Sequence, residues 1–350
     1  MGQKATAGGM ARGVILMTNR LVSTLAKRFT SVFAWELNPR RAQRPVRTGH
    51  NLPMAPTNAP ESLTPQQAIA HYENFPVASW LCPPRLRAPI AAIYHFARTA
   101  DDLADEGEAS AQQRLADLQS YRAELDAACA PVSAPAEGRW PEVFAPLRKA
   151  IADHGLPAAL LHALLDAFVQ DIEKTRDGTG YADEAALLDY CRRSADPVGR
   201  LLLHLYGVGD AQSLAWSDAI CSALQLINFW QDPSRDLPRG RCYFPEDWCA
   251  RWELTPADLR DPVQAHRANG LIARCVHSAR RSMEIGTPLV HRVPGRAGWE
   301  LRLVVQGGLR VLEKVQALRG RVLQERPRLS AWDAPLILWR ALWMKRPERQ

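Results

Sequence analysis

Asn228, Asp232 and Asp236 stand at i, i+4 and i+8 in the run Leu226-Ile-Asn-Phe-Trp-Gln-Asp-Pro-Ser-Arg-Asp-Leu-Pro-Arg-Gly-Arg-Cys-Tyr-Phe-Pro245. On a helix that spacing stacks three oxygen-bearing side chains on one face. The residues leading in are apolar (Ala223, Leu224, Leu226, Ile227, Phe229 and Trp230), so the helix enters a core and carries acids with it. Buried carboxylates are costly unless paired or bound to a cation. Arg239 and Arg241 follow at once. Acids able to hold Mg²⁺ beside arginines able to hold phosphate suit a diphosphate.

A second stretch, Tyr94 to Glu106, repeats the logic. Asp101 and Asp105 are four apart, and Arg98 lies one turn earlier on the same face. One such pair is usually no more than a solvated helix face. Two, each following an apolar helix with arginine nearby, point to a shared cleft. Facing each other, the acids would repel by roughly 4 kcal/mol per close pair at about 4 Å and an effective dielectric of ~20. Divalent cations would turn that repulsion into binding.

These motifs resemble the squalene/phytoene synthases, helical enzymes of head-to-head prenyl transfer. The resemblance rests on His71-Tyr-Glu-Asn-Phe75, Asp101 to Asp105, Tyr190-Cys-Arg-Arg-Ser-Ala-Asp-Pro-Val-Gly199, Asn228 to Asp236 and Arg241-Cys-Tyr-Phe-Pro245, in that order, between about Pro65 and Gly320. It implies an all-α fold, a single-domain isoprenoid-synthase helical bundle with a central cavity. It also implies a prenyl diphosphate substrate, with two or three Mg²⁺ ions bridging it to Asp101, Asp105, Asn228, Asp232 and Asp236. The four aspartates and Tyr190, which matches a tyrosine tied to proton handling or cation stabilisation, are the implied catalytic residues. Arg98 and Arg241 would hold phosphate oxygens, Tyr243 would hydrogen-bond the leaving group, and His71 and Phe75 would border the diphosphate and prenyl cavity. Asp171 stands where the family often places an acid facing the site; a solvated helix-end residue is the competing reading.

Within the family, His71 to Ser79, Phe96 to Gly107 and Asn228 to Asp232 resemble the bacterial hydroxysqualene synthase branch of hopanoid biosynthesis. That branch ionises presqualene diphosphate and quenches the rearranged cation with water, without a nicotinamide. Condensation of two prenyl diphosphates, giving presqualene diphosphate or phytoene, is the alternative. A non-catalytic assembly protein of the same fold is a third reading, and retention of all four aspartates argues against it. Two features depart from the family pattern. Pro233 directly follows Asp232, so the helix should kink or end there. Gln231 stands where many relatives carry Arg, leaving Arg235 or Arg239 to compensate.

The elements that must position these residues read as about ten helices and no strand. Pro84 to Glu106 is the first acid helix, ended by Gly107. Helices at Ser110–Cys129, Glu142–His154 and Pro157–Thr175 follow. Asp183 to Tyr206 carries Tyr190 with Arg193 on its face, and Pro197 and Gly199 mark a break or close packing. Ser213 to Asp232 is the second acid helix. Pro262–Gly286 and Arg296–Arg326 complete the bundle, with Gly307-Gly308 permitting close approach. The end from Trp332 to Arg346, with Trp332, Trp339 and Trp343, fits packing on the bundle or a membrane interface.

Bulk properties narrow the classes. With 350 residues and 47% apolar content, the chain can bury a large core. The net charge of +7 misleads, because residues 1–60 hold nine Lys/Arg against the single acid Glu36, leaving the remainder nearly neutral. Nucleic acid is therefore not an expected partner. The boundary divides a basic N-terminal extension, 1–60, from a helical domain, 61–350. That extension is either a disordered arm or a mis-assigned start, with Met54 as the true initiator. Seven scattered cysteines favour reduced thiols, and no stretch reads as a membrane span, which together suggest a cytoplasmic protein, with peripheral contact at the inner membrane face left open. There is no Gly-x-Gly-x-x-Gly dinucleotide motif.

Overall fold

A computed structural model describes residues 82–130 and 138–344. His71, Phe75, the basic extension and Met54 lie outside the described residues. Within them the chain forms twelve α-helices joined by short 3₁₀ turns, with no strand.

Helix α1 (Pro84–Asp105) opens on a proline and tolerates Pro89 in its second turn. Its Leu86, Ile90, Ile93, Phe96 and Ala100 form a buried stripe. Gly107, at φ 80°, turns the chain out of the helix. Helix α2 (Ala111–Cys129) is capped by the Ser110 hydroxyl, which accepts from the Gln113 amide at 3.2 Å. With α3 (Pro141–His154) and α4 (Ala158–Asp177), these helices enclose a first core around Phe96, Tyr121 and Phe144.

The expected long helix from Asp183 to Tyr206 is two helices. α5 (Glu184–Ser194) ends at Ala195, and α6 (Asp196–Leu205) restarts with Pro197 in its first turn. Proline cannot donate the amide that a continuous helix would need. Gly199 then lies against α7 (Ala211–Gln231) so closely that a β-carbon would sit 2.4 Å from Ser217 Oγ and 2.5 Å from Cys221 Sγ. The close approach expected of this glycine is therefore present.

Helix α7 is the axis of the second core. The Asp210 side chain caps it, and thirteen of the fourteen residues from Ile220 onward through α7 and into α8 (Pro233–Asp236) form an almost unbroken buried run, interrupted at Asp232. Helix α9 (Glu246–Arg251), α10 (Asn269–Gly286) and α11 (Gly295–Leu318) surround it. The segment expected as one helix from Pro262 begins as a 3₁₀ turn, Pro262–Ala268, before α10. A β-carbon on Gly308 would come within 3.1–3.2 Å of Met283, Ile227 and Leu224, so α11 approaches both α7 and α10 at that point. Helix α6 joins the two cores, giving Leu201 and Leu205 to the first and Leu203 to the second. The short α12 (Ala334–Leu342) packs on α11.

Candidate active site

The second acid arm breaks at Pro233. Helix α7 stops at Gln231, Asp232 occupies its C-terminal cap, and Asp236 belongs to the separate single turn α8. The i, i+4, i+8 stack on one continuous helix is thus not formed, as the proline implied. Hydrogen bonds carry the register across the break: Asp232 N donates to Asn228 O and Asp236 N to Asp232 O, each at 3.0 Å. Asn228 itself is buried.

Past the turn, the backbone amide of Arg241 donates to Asp236 O at 3.0 Å, while its guanidinium reaches Asp105 on α1. A residue tied by its backbone to one arm and by its side chain to the other shows that the two arms meet. Burial opposes the charge of Arg241, but Asp105, Tyr243 and Asp171 outweigh it and keep the guanidinium positive. Its Nε and Nη1 are buried and have no acceptor among the described residues. Buried guanidinium hydrogens without partners are costly, and an anionic oxygen would satisfy them.

On the first arm Asp101 is 2% exposed. Arg98 donates to it at 3.1 Å, to Glu106 at 2.9 Å, and also pairs with Asp102. Arg98 therefore serves its own helix end, while the guanidinium bonded to Asp105 is that of Arg241. Between α1 and α4 opens a cavity of about 250 Å³ lined by Asp101, Asp105, Phe168, Asp171, Arg176 and Arg241, among others.

Asp171 is buried in that cavity wall and accepts the Tyr190 hydroxyl at 2.5 Å. The reading of Asp171 as a solvated helix-end residue is thereby corrected. Burial pushes its carboxyl up to about 7. The Tyr190 hydrogen bond and Arg241 work against the rise, and Asp105 and Asp101 add to it. Burial and then Asp171 push the Tyr190 phenol well up. Tyr190 packs beside Tyr181 and Phe229, and Phe229 stacks on Tyr243 at 3.9 Å between ring centres. Tyr243 is also buried, and burial raises its phenol. Asp236 is pushed up to about 7 by burial and Asp232, against Arg241 and Arg239, with Asp105 contributing. Arg193, by contrast, pairs with Asp189 at 2.7 Å on the helix surface.

Of the two arginines expected to compensate for Gln231, both are exposed, and Arg239 lies near enough to act on the Asp236 carboxyl. The cation on Asp232 is Arg326, whose Nη2 donates at 3.1 Å while Nε contacts the second carboxylate oxygen. Gln231 Nε2 donates to Pro327 O at 2.7 Å and pins the same segment. Sequence spacing could not pair residues this far apart; the only signal was an aspartate without a cation of its own.

Among the described residues no three His, Cys, Asp or Glu side chains close into a metal-binding set. All seven cysteines are unpaired. No helix of the described residues is long and apolar enough to cross a membrane.

With this geometry in view, the similarities are specific. The chain belongs to the squalene/phytoene synthase family, whose profile matches residues 69–333. Hydroxysqualene synthases of Zymomonas mobilis and Rhodopseudomonas palustris are 40% and 39% identical to it over 192 and 176 residues. These alignments take in 53% and 50% of the chain and 59% and 56% of those proteins, so the match spans under two thirds of their length. The crystal structure of squalene synthase HpnC from Alicyclobacillus acidocaldarius is similar at a TM-score of 0.62 and 35% identity, covering 72% of this chain and 90% of that one. A dehydrosqualene synthase with a TM-score of 0.61 but 18% identity shares the fold.

Proposed function

We propose that this chain is a hydroxysqualene synthase, which ionises presqualene diphosphate and captures the rearranged cation with water to give hydroxysqualene and diphosphate. The observation that carries the site chemistry is Arg241, bonded to both acid arms and still holding two buried N–H groups in reserve. The branch is supported by relatives of that name at about 40% identity, above the 27% and 32% of two presqualene diphosphate synthases.

Asp101, Asp105, Asn228, Asp232 and Asp236 offer only oxygen donors, the set suited to Mg²⁺ with much of its shell left to water and substrate. That donor chemistry fits two or three ions shared with the diphosphate, rather than a cage made by the protein alone. When bound, the ions would neutralise charge building on the leaving group. Arg241 would hold a diphosphate oxygen as the C–O bond breaks and the electron pair departs with the phosphate. Tyr243, locked against Phe229, would orient the leaving group. The packed aromatic cluster of Tyr181, Tyr190, Phe229 and Tyr243 would keep stray water from the cation. Asp171, in its ionised form, would accept through Tyr190 the proton released when water adds. No step calls for a nicotinamide.

A product assay with purified protein and Mg²⁺, without nicotinamide, tests this. Hydroxysqualene from presqualene diphosphate, with nothing from farnesyl diphosphate, is the expected result. A condensed product from farnesyl diphosphate would transfer the chain to the first-step branch. No turnover of farnesyl, geranylgeranyl or presqualene diphosphate would favour the non-catalytic reading.

A further inference from the structure

Helix α12 has no polar face. Its sequence from Ala334 to Leu342 contains one charged residue, Arg340, which is bonded to Glu313 on α11. Ile337 and Ala341 point into the protein and are about 1% exposed. The opposite side is also apolar: Trp332 is 90% exposed, Trp339 61%, Leu342 58% and Trp343 67%. Their positions, 332, 339, 342 and 343, follow a helical stripe. The rings of Trp339 and Trp343 lie 5.5 Å apart, so the two indoles form one surface.

This face is held firmly. Just before α12, Asp333 binds Arg310 at 2.8 Å and Lys314 at 2.9 Å, and Ser330 and Asp333 close a capping box. The tryptophans are thus presented on an anchored element, and such clustered exposure marks a surface built to be covered.

We propose that this face docks on an anionic lipid bilayer, with α12 lying in the interfacial plane. Indole is suited to that place because its ring is apolar and its N–H reaches the headgroups. Nine residues are too few to span a bilayer but enough to lie on one. Charge selects lipid over the other occupants this chain could supply. Residues 326–350 hold six Lys/Arg against two acids; with Arg326 spent on Asp232, Arg340 on Glu313, and Asp333 held by Arg310 and Lys314, the sequence still carries Arg328, Lys345, Arg346 and Arg349 against Glu348. A second copy docking by two-fold symmetry would bring two basic ends together. The chain's own residues 1–60 carry the same sign. An anionic headgroup layer has the complementary charge. Arg326, which pairs with Asp232, is six residues before Trp332, so at most about 20 Å of chain separates acid arm and bilayer face.

The test is flotation of the full chain with vesicles of phosphatidylglycerol and phosphatidylcholine, without substrate, so that its result does not depend on the proposed reaction. The wild type should float with vesicles rich in phosphatidylglycerol and lose binding as salt rises. The triple variant Trp332→Ser/Trp339→Ser/Trp343→Ser should lose roughly tenfold or more of this partitioning while keeping its far-UV circular dichroism. Should the triple variant misfold, quenching of wild-type tryptophan fluorescence by brominated lipid gives an independent reading. Absence of wild-type flotation overturns the proposal, as does flotation of a folded triple variant at the wild-type level. A wild-type dimer that the triple variant converts to monomer would assign the face to a second copy instead.

Discussion

Asp101 and Asp105 sit on one unbroken helix, whereas Asp232 and Asp236 straddle the end of another. The first arm is positioned by helical periodicity alone, and its near cation, Arg98, comes from the same helix. The second arm is positioned by a proline break, and its near cation, Arg326, comes from a distant segment. Both arms present a carboxylate beside an arginine. The first does so through local sequence, the second only through tertiary structure. Arg241 then joins them, since its backbone belongs to one arm and its side chain to the other.

If the arms act as one site, both must be needed. Asp105→Asn and Asp232→Asn should each lower turnover by about 10³-fold or more, with helicity unchanged, because each removes charge that would hold the leaving group through a metal ion. Steady-state rates across a Mg²⁺ titration check this. Full activity in either variant would leave a one-armed site and end the comparison.

Tyr190 tests the wall between the arms. Tyr190→Phe removes the 2.5 Å donor to Asp171 and leaves a buried carboxylate unsatisfied. Turnover should fall by about 10²-fold, within the usual range for a proton-handling group. That hydrogen bond restrains the rise of the Asp171 carboxyl, and Asp171 acts in its ionised form, so losing the bond should move the acid-side fall of the rate to higher pH. A fall in rate with an unmoved pH profile would reduce Tyr190 to packing.

Arg326 probes the arm that depends on tertiary structure. Arg326→Lys keeps the charge but loses the two-pronged hold on Asp232. A roughly tenfold rise in the Mg²⁺ concentration needed for half-maximal rate, with a smaller change in kcat, is expected. The matching change on the first arm, Arg98→Lys, should do less, because Arg98 is shared among Asp101, Asp102 and Glu106.

The same contrast explains what could be read from the chain. The layout of the first arm was legible, because Asp101, Asp105 and Arg98 are close in sequence and α1 begins and ends where Pro84 and Gly107 require, but the expected phosphate-holding Arg98 is bonded to Asp101, Asp102 and Glu106. The break at Pro233 was also legible, because the ring removes a helical donor wherever it stands. Arg326 was not, since no periodicity links it to Asp232. The burial of Asp171 was undecided for a related reason: whether a helix-end acid faces water depends on Tyr190 and Arg241, which other helices deliver. The split of the Asp183–Tyr206 segment was half legible. Pro197 signalled it, but Ser217 and Cys221, which leave no room beside Gly199, come from α7.

Outside both arms, Asp196 is a buried carboxylate without an arginine of its own. It is 5% exposed and accepts the Ser222 hydroxyl at 2.9 Å. The nearby Arg200 is spent on Asp218, at 2.8 and 2.5 Å. Burial and then Asp218 push the Asp196 carboxyl up from 3.8 to about 7, against Ser222, Arg200 and Arg192. The folded protein therefore binds this proton more tightly than the unfolded chain does. Between about pH 4 and 7 the folded state holds more protons, so this group makes stability fall as pH rises. Asp196→Asn keeps an acceptor for Ser222 and removes the titration. Urea unfolding should show the variant gaining on the wild type by roughly 2–4 kcal/mol between pH 5 and pH 8, with turnover unchanged. Equal differences at both pH values would mean that burial does not govern Asp196.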